Sequence, residues 1–395
     1  MLAVVLVAGF PAAACLAPQQ ATIQDMVASV AQPYAFNLWQ WEAGAVGEKL
    51  RPGARESLGE AEAEATVVRY FVLAAEKRSL LSREPDAAAR KRIGAIGREQ
   101  SALAGGVEVA MQQQVGEALL GAGITNPFPL TSRLHLIFPP VVFQLESPPR
   151  LLVISPRERI GLVQRITLRQ DLSPEEVGEI ESSCDRLGVS ALVEDLGGLA
   201  TYPSIVSEDS GLRYTLETVS EEWVHQYLSF RPFGFAYVLD ILGIRKDSDV
   251  VTLNETAAGM ISEEMADRVV EDHYAPYVQP GGKTRAPDVS GFSFNREMRI
   301  TRQKTDELLA SGQVGAAEKY MEERRRFLAD HGYYIRKLNQ AYFAFHGTYA
   351  YSPAAVSPIY ADLQKVRARS SSLREFVEVV SAMTSYRDLQ AVVGR

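Results

Sequence analysis

Histidine is scarce in this chain, five in 395 residues, so each one can be weighed. One stands in a setting with chemistry: Glu221-Glu222-Trp223-Val224-His225. On a helix, Glu221 and His225 are four apart and share a face, with Glu222 one residue round from it. That is the spacing of the H-E-x-x-H zinc helix, in which two side chains ligate a metal ion and the intervening glutamate activates water. Here Glu221 occupies the first position instead of a histidine. Downstream, Leu253-Asn254-Glu255-Thr256-Ala257 carries a further carboxylate where a second helix is expected to open. Between the two, Arg231-Pro232-Phe233-Gly234 is a turn able to reverse the chain.

Other constellations are weaker. Glu222 and His225 also have the i, i+3 spacing of di-iron carboxylate helices, which need a second copy on another helix. The residues three before the other histidines are Ser132, Val270, Leu328 and Phe343, so no second copy exists. No G-x-S-x-G elbow supports a serine nucleophile. His135, in an apolar region, and His273, beside Glu271 and Asp272, fit satisfied structural histidines, with His273 the reserve ligand.

The stretch Tyr214 to Ala258 resembles the gluzincin metallopeptidases, with E-E-x-x-H in place of H-E-x-x-H and N-E-x-x-A as the second motif. The chain as a whole resembles an uncharacterised group of bacterial, membrane-anchored, gluzincin-like zinc metallopeptidases. The matching stretches are Gly197 to Pro203, Glu221 to Leu228, Asn254 to Ala258, Phe294 to Arg302 and Tyr334 to Tyr349. The resemblance implies Glu221, His225 and Glu255 as metal ligands, Glu222 as general base, zinc as the metal and a peptide or protein as substrate. It also implies a zincin-like fold. The departure lies at Glu221, where the usual member has histidine. A carboxylate can hold zinc at about 2.0–2.2 Å. It leaves one nitrogen and two carboxylates as ligands, which tilts selection toward harder ions such as manganese. Without a metal, mutual repulsion keeps one of the clustered carboxylates protonated. A catalytically silent relative, using the same fold as a cell-surface binding or scaffold domain, is the alternative.

These residues need elements to position them. Hydrophobic content of 46% and charged content of 23% are those of a globular chain and exclude disorder as the theme. The net charge of −8 argues against a nucleic-acid partner, which would require clustered positive charge. Two cysteines cannot make a disulfide scaffold. Residues 1–20 carry no charge and read as a signal peptide or a membrane or lipid anchor. Ala12-Ala13-Ala14 before Cys15 fits a signal-peptidase site and loosely resembles a lipobox, so the body is expected outside the cytoplasm, on the membrane through this anchor. Cys184 is then a single thiol, expected as a buried structural residue.

Residues 21–125 form a helical N-terminal region, with helices predicted over Thr22 to Leu50, Leu58 to Leu80 and 86–121. Residues 126–270 hold a small sheet and the metal-site helices. Strand signals lie over Phe138 to Leu145, Arg150 to Ser155, Ile160 to Leu168, Ser190 to Glu194 and Gly197 to Val206. A capped helix opens at Ser173-Pro174-Glu175-Glu176 and stops near Gly188. The segment near Gly198 to Tyr202 is an edge-strand candidate able to take an extended substrate by strand addition. Residues 271–395 form a helical C-terminal region, with a hairpin of helices Phe294 to Ser311 and Val314 to His331, then an aromatic helix Tyr333 to Phe345. His346 or Tyr349, where that helix stops, or Arg296 on the first helix of the hairpin, could donate to the oxyanion of a tetrahedral intermediate. A capping turn with packed tyrosines accounts for the same residues without catalysis. The expected fold class is α+β, mostly helical, with a small mixed sheet before the metal-site helix.

Overall fold

Alternation of apolar residues builds the first sheet. In the computed structural model, which describes residues 22–38, 41, 59–128, 136–241, 244–277 and 292–394, strand β2 (Arg150–Pro156) pairs antiparallel with β3 (Gln164–Leu168) and with β4 (Val189–Asp195). β1 (Phe143–Leu145) belongs to the second sheet. Register puts Leu152 across from Ile166 and Val193, so Leu152, Ile154, Leu168, Ala191 and Val193 share one face. That face buries against Val27 and Ala31 of helix α1 (Ile23–Ala31) and against a later helix that carries Val177, Ile180 and Cys184. The opposite face presents Leu151, Val153 and Leu192 to Ala341. The helix behind the first face is Pro174–Arg186, started by a reciprocal cap between Ser173 and Glu176. Cys184 is fully buried there as a free thiol.

The second sheet is small and mixed. β6 (Ser204–Val206) lies between parallel β1 and antiparallel β5 (Gly198–Leu199), so β5 is one of the sheet's two edges. The strand expected over Gly197 to Val206 is thus two pieces, broken where the Thr201 hydroxyl donates to the Pro203 carbonyl at 2.6 Å. The strand expected from Ile160 starts only at Gln164.

The rest is mostly helical. In chain order α2 is Glu60–Leu81, α3 is Ala87–Ala122 and α4 is the helix Pro174–Arg186. Then come α5 (Leu212–Ser229), α6 (Pro232–Ile241) and α7 (Ser248–Val269). The C-terminal region holds α8 (Phe294–Ala310), α9 (Val314–Asp330), α10 (Gln340–His346), α11 (Ile359–Arg369), α12 (Leu373–Ser381) and α13 (Tyr386–Val393). The main core joins Tyr70 of α2, Met111 and Val115 of α3, Leu216 and Trp223 of α5, Leu253 and Met265 of α7, and Leu363 and Phe376 behind them. Burying side chains of this size contributes about 1.5–3 kcal/mol each. Trp223 also donates through Nε1 to the Pro139 carbonyl at 2.7 Å, tying α5 to the segment before β1. The class is therefore α+β, mostly helical with a small mixed sheet.

Two expectations change. The long first helix over Thr22 to Leu50 is interrupted after α1 by Pro33, which sits in the tight turn Gln32–Tyr34; Leu38 and Trp41 are again helical, and residues 39–40 and 42–58 lie outside the described residues. The helix expected over Tyr333 to Phe345 exists only as α10. Residues before it serve the exposed edge of β4 instead: Arg336 donates to the Val193 carbonyl at 2.6 Å and Asn339 Nδ2 to the Ala191 carbonyl at 2.9 Å. Side chains that cover a bare strand edge compete with local helix formation. The leader at residues 1–20 lies outside the described residues. Among those described, no helix is long and apolar enough to cross a membrane.

Candidate metal centre

Two helices carry the site. On α5, residues Thr218, Glu221, Glu222 and His225 recur at helical spacing on the side turned to α7 and β5. On α7, Asn254 and Glu255 do not open the helix as the sequence suggests. Asp247 caps it by accepting from the Val250 N–H at 3.2 Å, so the helix begins at Ser248 and the pair lies in its second turn. The chain reverses at Phe230 and Arg231, and Pro232 takes the first position of α6.

The fold brings the three expected ligands together. One ligand atom each of Glu221, His225 and Glu255 lies within 4.8 Å of the others. His225 Nε2 stands 3.7 Å from Glu255 Oε2. His225 Nδ1 lies 2.9 Å from Asn254 Oδ1, an acceptor, so Nδ1 donates and Nε2 is left facing the cluster. A ligating histidine is oriented in this way by a bond to its other nitrogen. Tyr237 of α6 donates its hydroxyl to Glu255 Oε1 at 2.5 Å and stacks on the His225 ring, centroids 5.7 Å apart.

The donor set can be tested against a cation. Glu221 Oε1 is shielded from solvent and, among the described residues, has no hydrogen-bond partner. A buried carboxylate oxygen without a donor is costly unless the group is protonated or a cation faces it. The charges acting on Glu221 are those of Glu222, Glu255 and Glu217, and together with burial, the larger cause, they hold its carboxyl well above the usual carboxylate range. Burial and then Glu255 push Glu222 up to about 8. Two carboxylates and an imidazole converge, and among the described residues one oxygen is unbonded and no neighbouring cation relieves Glu221. These residues fit a divalent ion, with a facing nitrogen suited to zinc and oxygens suited to zinc or manganese.

Close packing shapes the surroundings. A Cβ added to Gly198 on β5 would stand 2.5 Å from Glu222 Oε1 and 2.6 Å from Thr218 Cγ2. A side chain there would have to displace Glu222 and Thr218. A Cβ at Gly259 would meet the Tyr351 hydroxyl at 2.8 Å, so α7 admits this tyrosine at close range. The Ala350 N–H donates to Thr256 Oγ1 at 2.9 Å and pins the Tyr349–Tyr351 segment to α7. Burial, then the charges of Glu255 and Glu221, hold the Tyr349 hydroxyl well above its ordinary pKa, so it is a neutral donor.

The other sequence candidates lie elsewhere. His346 is not in the three-residue cluster: its Nε2 is 3.2 Å from Glu194 Oε1 and its ring packs on Tyr342, 4.1 Å between centroids. Arg296 reaches Glu297 on its own helix at 3.3 Å. His273 forms a second grouping with Glu60 and Glu64, where its Nδ1 lies at hydrogen-bond distance from Glu64, 3.2 Å. His135 lies outside the described residues. Sequence reasoning did not single out Tyr237 or Tyr351, and gave Asn254 no role of its own. Asn254 had a signal, its place beside Glu255; the tyrosines had none, because tertiary packing alone brings them in. Set against known protein families, curated proteins and solved structures, the chain matches none of them.

Proposed function

We propose that this protein is a metal-dependent hydrolase of peptide bonds with a zincin-like centre, using zinc, or manganese as the alternative ion. The observation that carries the reading is the convergence of Glu221, His225 and Glu255 around an unbonded, shielded carboxylate oxygen, with Glu222 alongside. Glu221, His225 and Glu255 would hold the ion. A divalent ion there supplies Lewis acidity, making water a better acid and a carbonyl a better electrophile. Glu222 accepts the proton of the attacking water and delivers it to the leaving nitrogen. Tyr349, kept neutral, donates to the oxyanion that forms on the carbonyl oxygen. β5, at the sheet edge beside Glu222, offers backbone groups to an extended peptide.

One observation favours a second reading, a non-catalytic relative that binds partners at the cell surface. Without an ion, Glu222 with a pKa of about 8 is mostly protonated at neutral pH and is no base. Elemental analysis of the purified protein after zinc or manganese loading decides on the ion. About one ion per chain in wild type and a large loss in His225→Ala is the expected result. No ion in wild type, or equal metal in both, sinks the metal reading.

A further inference from the structure

α6 is a surface helix without a polar outer side. A helix at a protein surface carries charged or polar residues on the face turned away from the core. On α6 that face holds Pro232, Phe235, Val238 and Leu239, with Pro232 and Phe235 exposed and the other two half-buried. The helix's two polar side chains turn inward instead. Tyr237 donates to Glu255, and Asp240 is buried and accepts from the Asp247 N–H at 2.7 Å.

The apolar face continues past both ends of the helix. Beyond the C-terminus, the Ile244 and Arg245 N–H groups both donate to the Leu239 carbonyl, at 3.0 Å and 3.1 Å, which brings Ile244 back beside the last turn. Ile241 and Ile244 are exposed there, Ile244 at 70%. Before the N-terminus, Phe230 packs on Phe128 and Phe138, with ring centroids 5.6 Å and 5.2 Å away. Arg231 Nη1 donates to the Pro127 carbonyl at 2.8 Å and ties that segment to the start of α6. Phe128 and Leu136 are exposed. Apolar side chains scattered singly over a surface are ordinary, whereas a run of them on joined segments marks an interaction surface.

The charge pattern selects the partner. About one residue in eight of the chain is Asp or Glu, 49 in 395. None occurs from Ala118 to Leu145 or from Trp223 to Leu239, the two stretches that the Arg231–Pro127 bond joins. Arg133 and Arg231 are the charged residues they hold besides histidine. Arg245 and Lys246, both exposed, follow Ile244 directly. Arg245 also lies 3.6 Å from Asp247, the cap of α7. An apolar face kept free of acids, with arginine and lysine at its rim, suits a lipid surface: the apolar side chains enter the acyl boundary and the basic ones reach back to the phosphates. The uncharged apolar stretch Met1 to Gln20, read as an anchor, would hold the chain at such a surface.

We propose that the outer face of α6, with Ile241, Ile244, Phe128 and Leu136, rests on a lipid bilayer, the helix lying in the headgroup region without crossing it. The proposal does not depend on a metal. Its consequence is positional. Tyr237, on the inner side of α6, bonds Glu255, so the candidate centre stands roughly 10–12 Å from the lipid, one helix diameter.

The test puts a reporter on this face in the full chain. Phe235→Trp and Ile244→Trp are compared with wild type and with Tyr334→Trp, whose site is 87% exposed between α9 and α10. Each protein is mixed with vesicles of phosphatidylcholine and phosphatidylglycerol, with and without bromine on the acyl chains. The signal added by the new tryptophan is expected to shift to the blue and to be quenched by brominated lipid at positions 235 and 244, and to stay unchanged at 334. Absence of quenching at either 235 or 244 overturns the proposal. Equal quenching at all three positions overturns it too, since the protein would then adsorb without a preferred face. A signal at 235 and 244 that is blue-shifted before lipid is added shows a face already covered, by a second copy where sedimentation finds a dimer and by the chain's own residues where it finds a monomer. Either result replaces the bilayer as the occupant and overturns the proposal.

Discussion

Four helices of this chain carry adjacent glutamates, and the fold treats two of these pairs, Glu221-Glu222 on α5 and Glu322-Glu323 on α9, in opposite ways. On α9, Arg325 and Arg326 reach Glu322 at 2.7 Å and 2.8 Å, and Lys319 lies 3.8 Å from Glu323. Hydrogen bonds from Arg325 lead the causes that pull the Glu322 carboxyl down to about 2. Nearby, Arg324 and Glu297 pair at 2.6 Å between α9 and α8. On α5, among the described residues, no arginine pairs with Glu221 or Glu222. Burial and the neighbouring carboxylates push Glu221 and Glu222 upward, the latter to about 8. A solvated pair brings its own cations within one helical turn, whereas a shielded pair without them marks a place where a cation from outside the chain would belong. The three residues after each pair make the difference: Arg324-Arg325-Arg326 on α9 begin one residue beyond Glu323, and Trp223-Val224-His225 on α5 come directly after Glu222.

The largest effect that would separate the two pairs is catalytic. Glu222→Gln should keep the metal and lose about 10²–10⁴ in the rate of peptide cleavage, since an amide can bond water but cannot take its proton. Glu322→Gln should cleave as wild type does. A mass-spectrometric digest of a diverse peptide library, run with zinc and with manganese, measures both. Cleavage by Glu222→Gln at the wild-type rate would remove Glu222 from the proton transfer and dissolve the contrast. Cleavage by none of the three would move the reading to the binding protein.

How much of this was legible depended on the range of the contacts. Within one helix, spacing suffices: Glu221 and His225 at i, i+4 meet as their positions require. The capped start of α4 was legible for the same reason, because Ser173 and Glu176 bond each other across three residues. Helix boundaries set by a cap were less so. Asp247, some two turns ahead of Glu255, moved the start of α7 and turned Glu255 from a helix-opening residue into one inside the helix. Contacts made only by the assembled fold left no trace in local pattern. Arg336 and Asn339 read as helix formers until the bare edge of β4 claims them. His346 illustrates the converse: the sequence offered it as a donor at the end of an aromatic helix, and the fold pairs it with Glu194.

A smaller effect, in opposite directions for the two pairs, appears in stability against pH. Glu222 has a folded pKa of about 8 against an ordinary value of 4.5, so between those values the folded state keeps a proton that the unfolded chain has released. Stability of the metal-free protein therefore falls as pH rises through that window, by up to about 1.4 kcal/mol per pH unit for each such group. Glu221 acts in the same direction. Glu322, at about 2 when folded, works the other way: its contribution is present above 4.5 and is lost as pH falls toward 2. Melting curves of chelator-treated protein from pH 5 to 8 should show a falling melting temperature, flattened by zinc or manganese, which favours the ionised carboxylates. A metal-free protein that gains stability across this range would mean that Glu221 and Glu222 are relieved by a group outside this cluster.

The smallest effect belongs to the α9 pair itself. Glu322→Gln removes two arginine contacts at normal hydrogen-bond distance, which on paper is a large loss. Its side chain is 42% exposed, however, and that of Arg326 is 72% exposed. Water competes for both ends, and holding long side chains in one geometry costs rotamer entropy, so the expected loss is about 1 kcal/mol or less. Urea midpoints of wild type and variant measure it, and repeating them at high salt should shrink the difference, because exposed charges are screened. A loss above about 2 kcal/mol that persists in salt would place this pair among shielded ones, where removing one partner is costly. The contrast with Glu221-Glu222 would then rest on the missing cation alone and no longer on solvent, and α9 would count as part of the buried frame that α8 and the segment before α10 build against the first sheet.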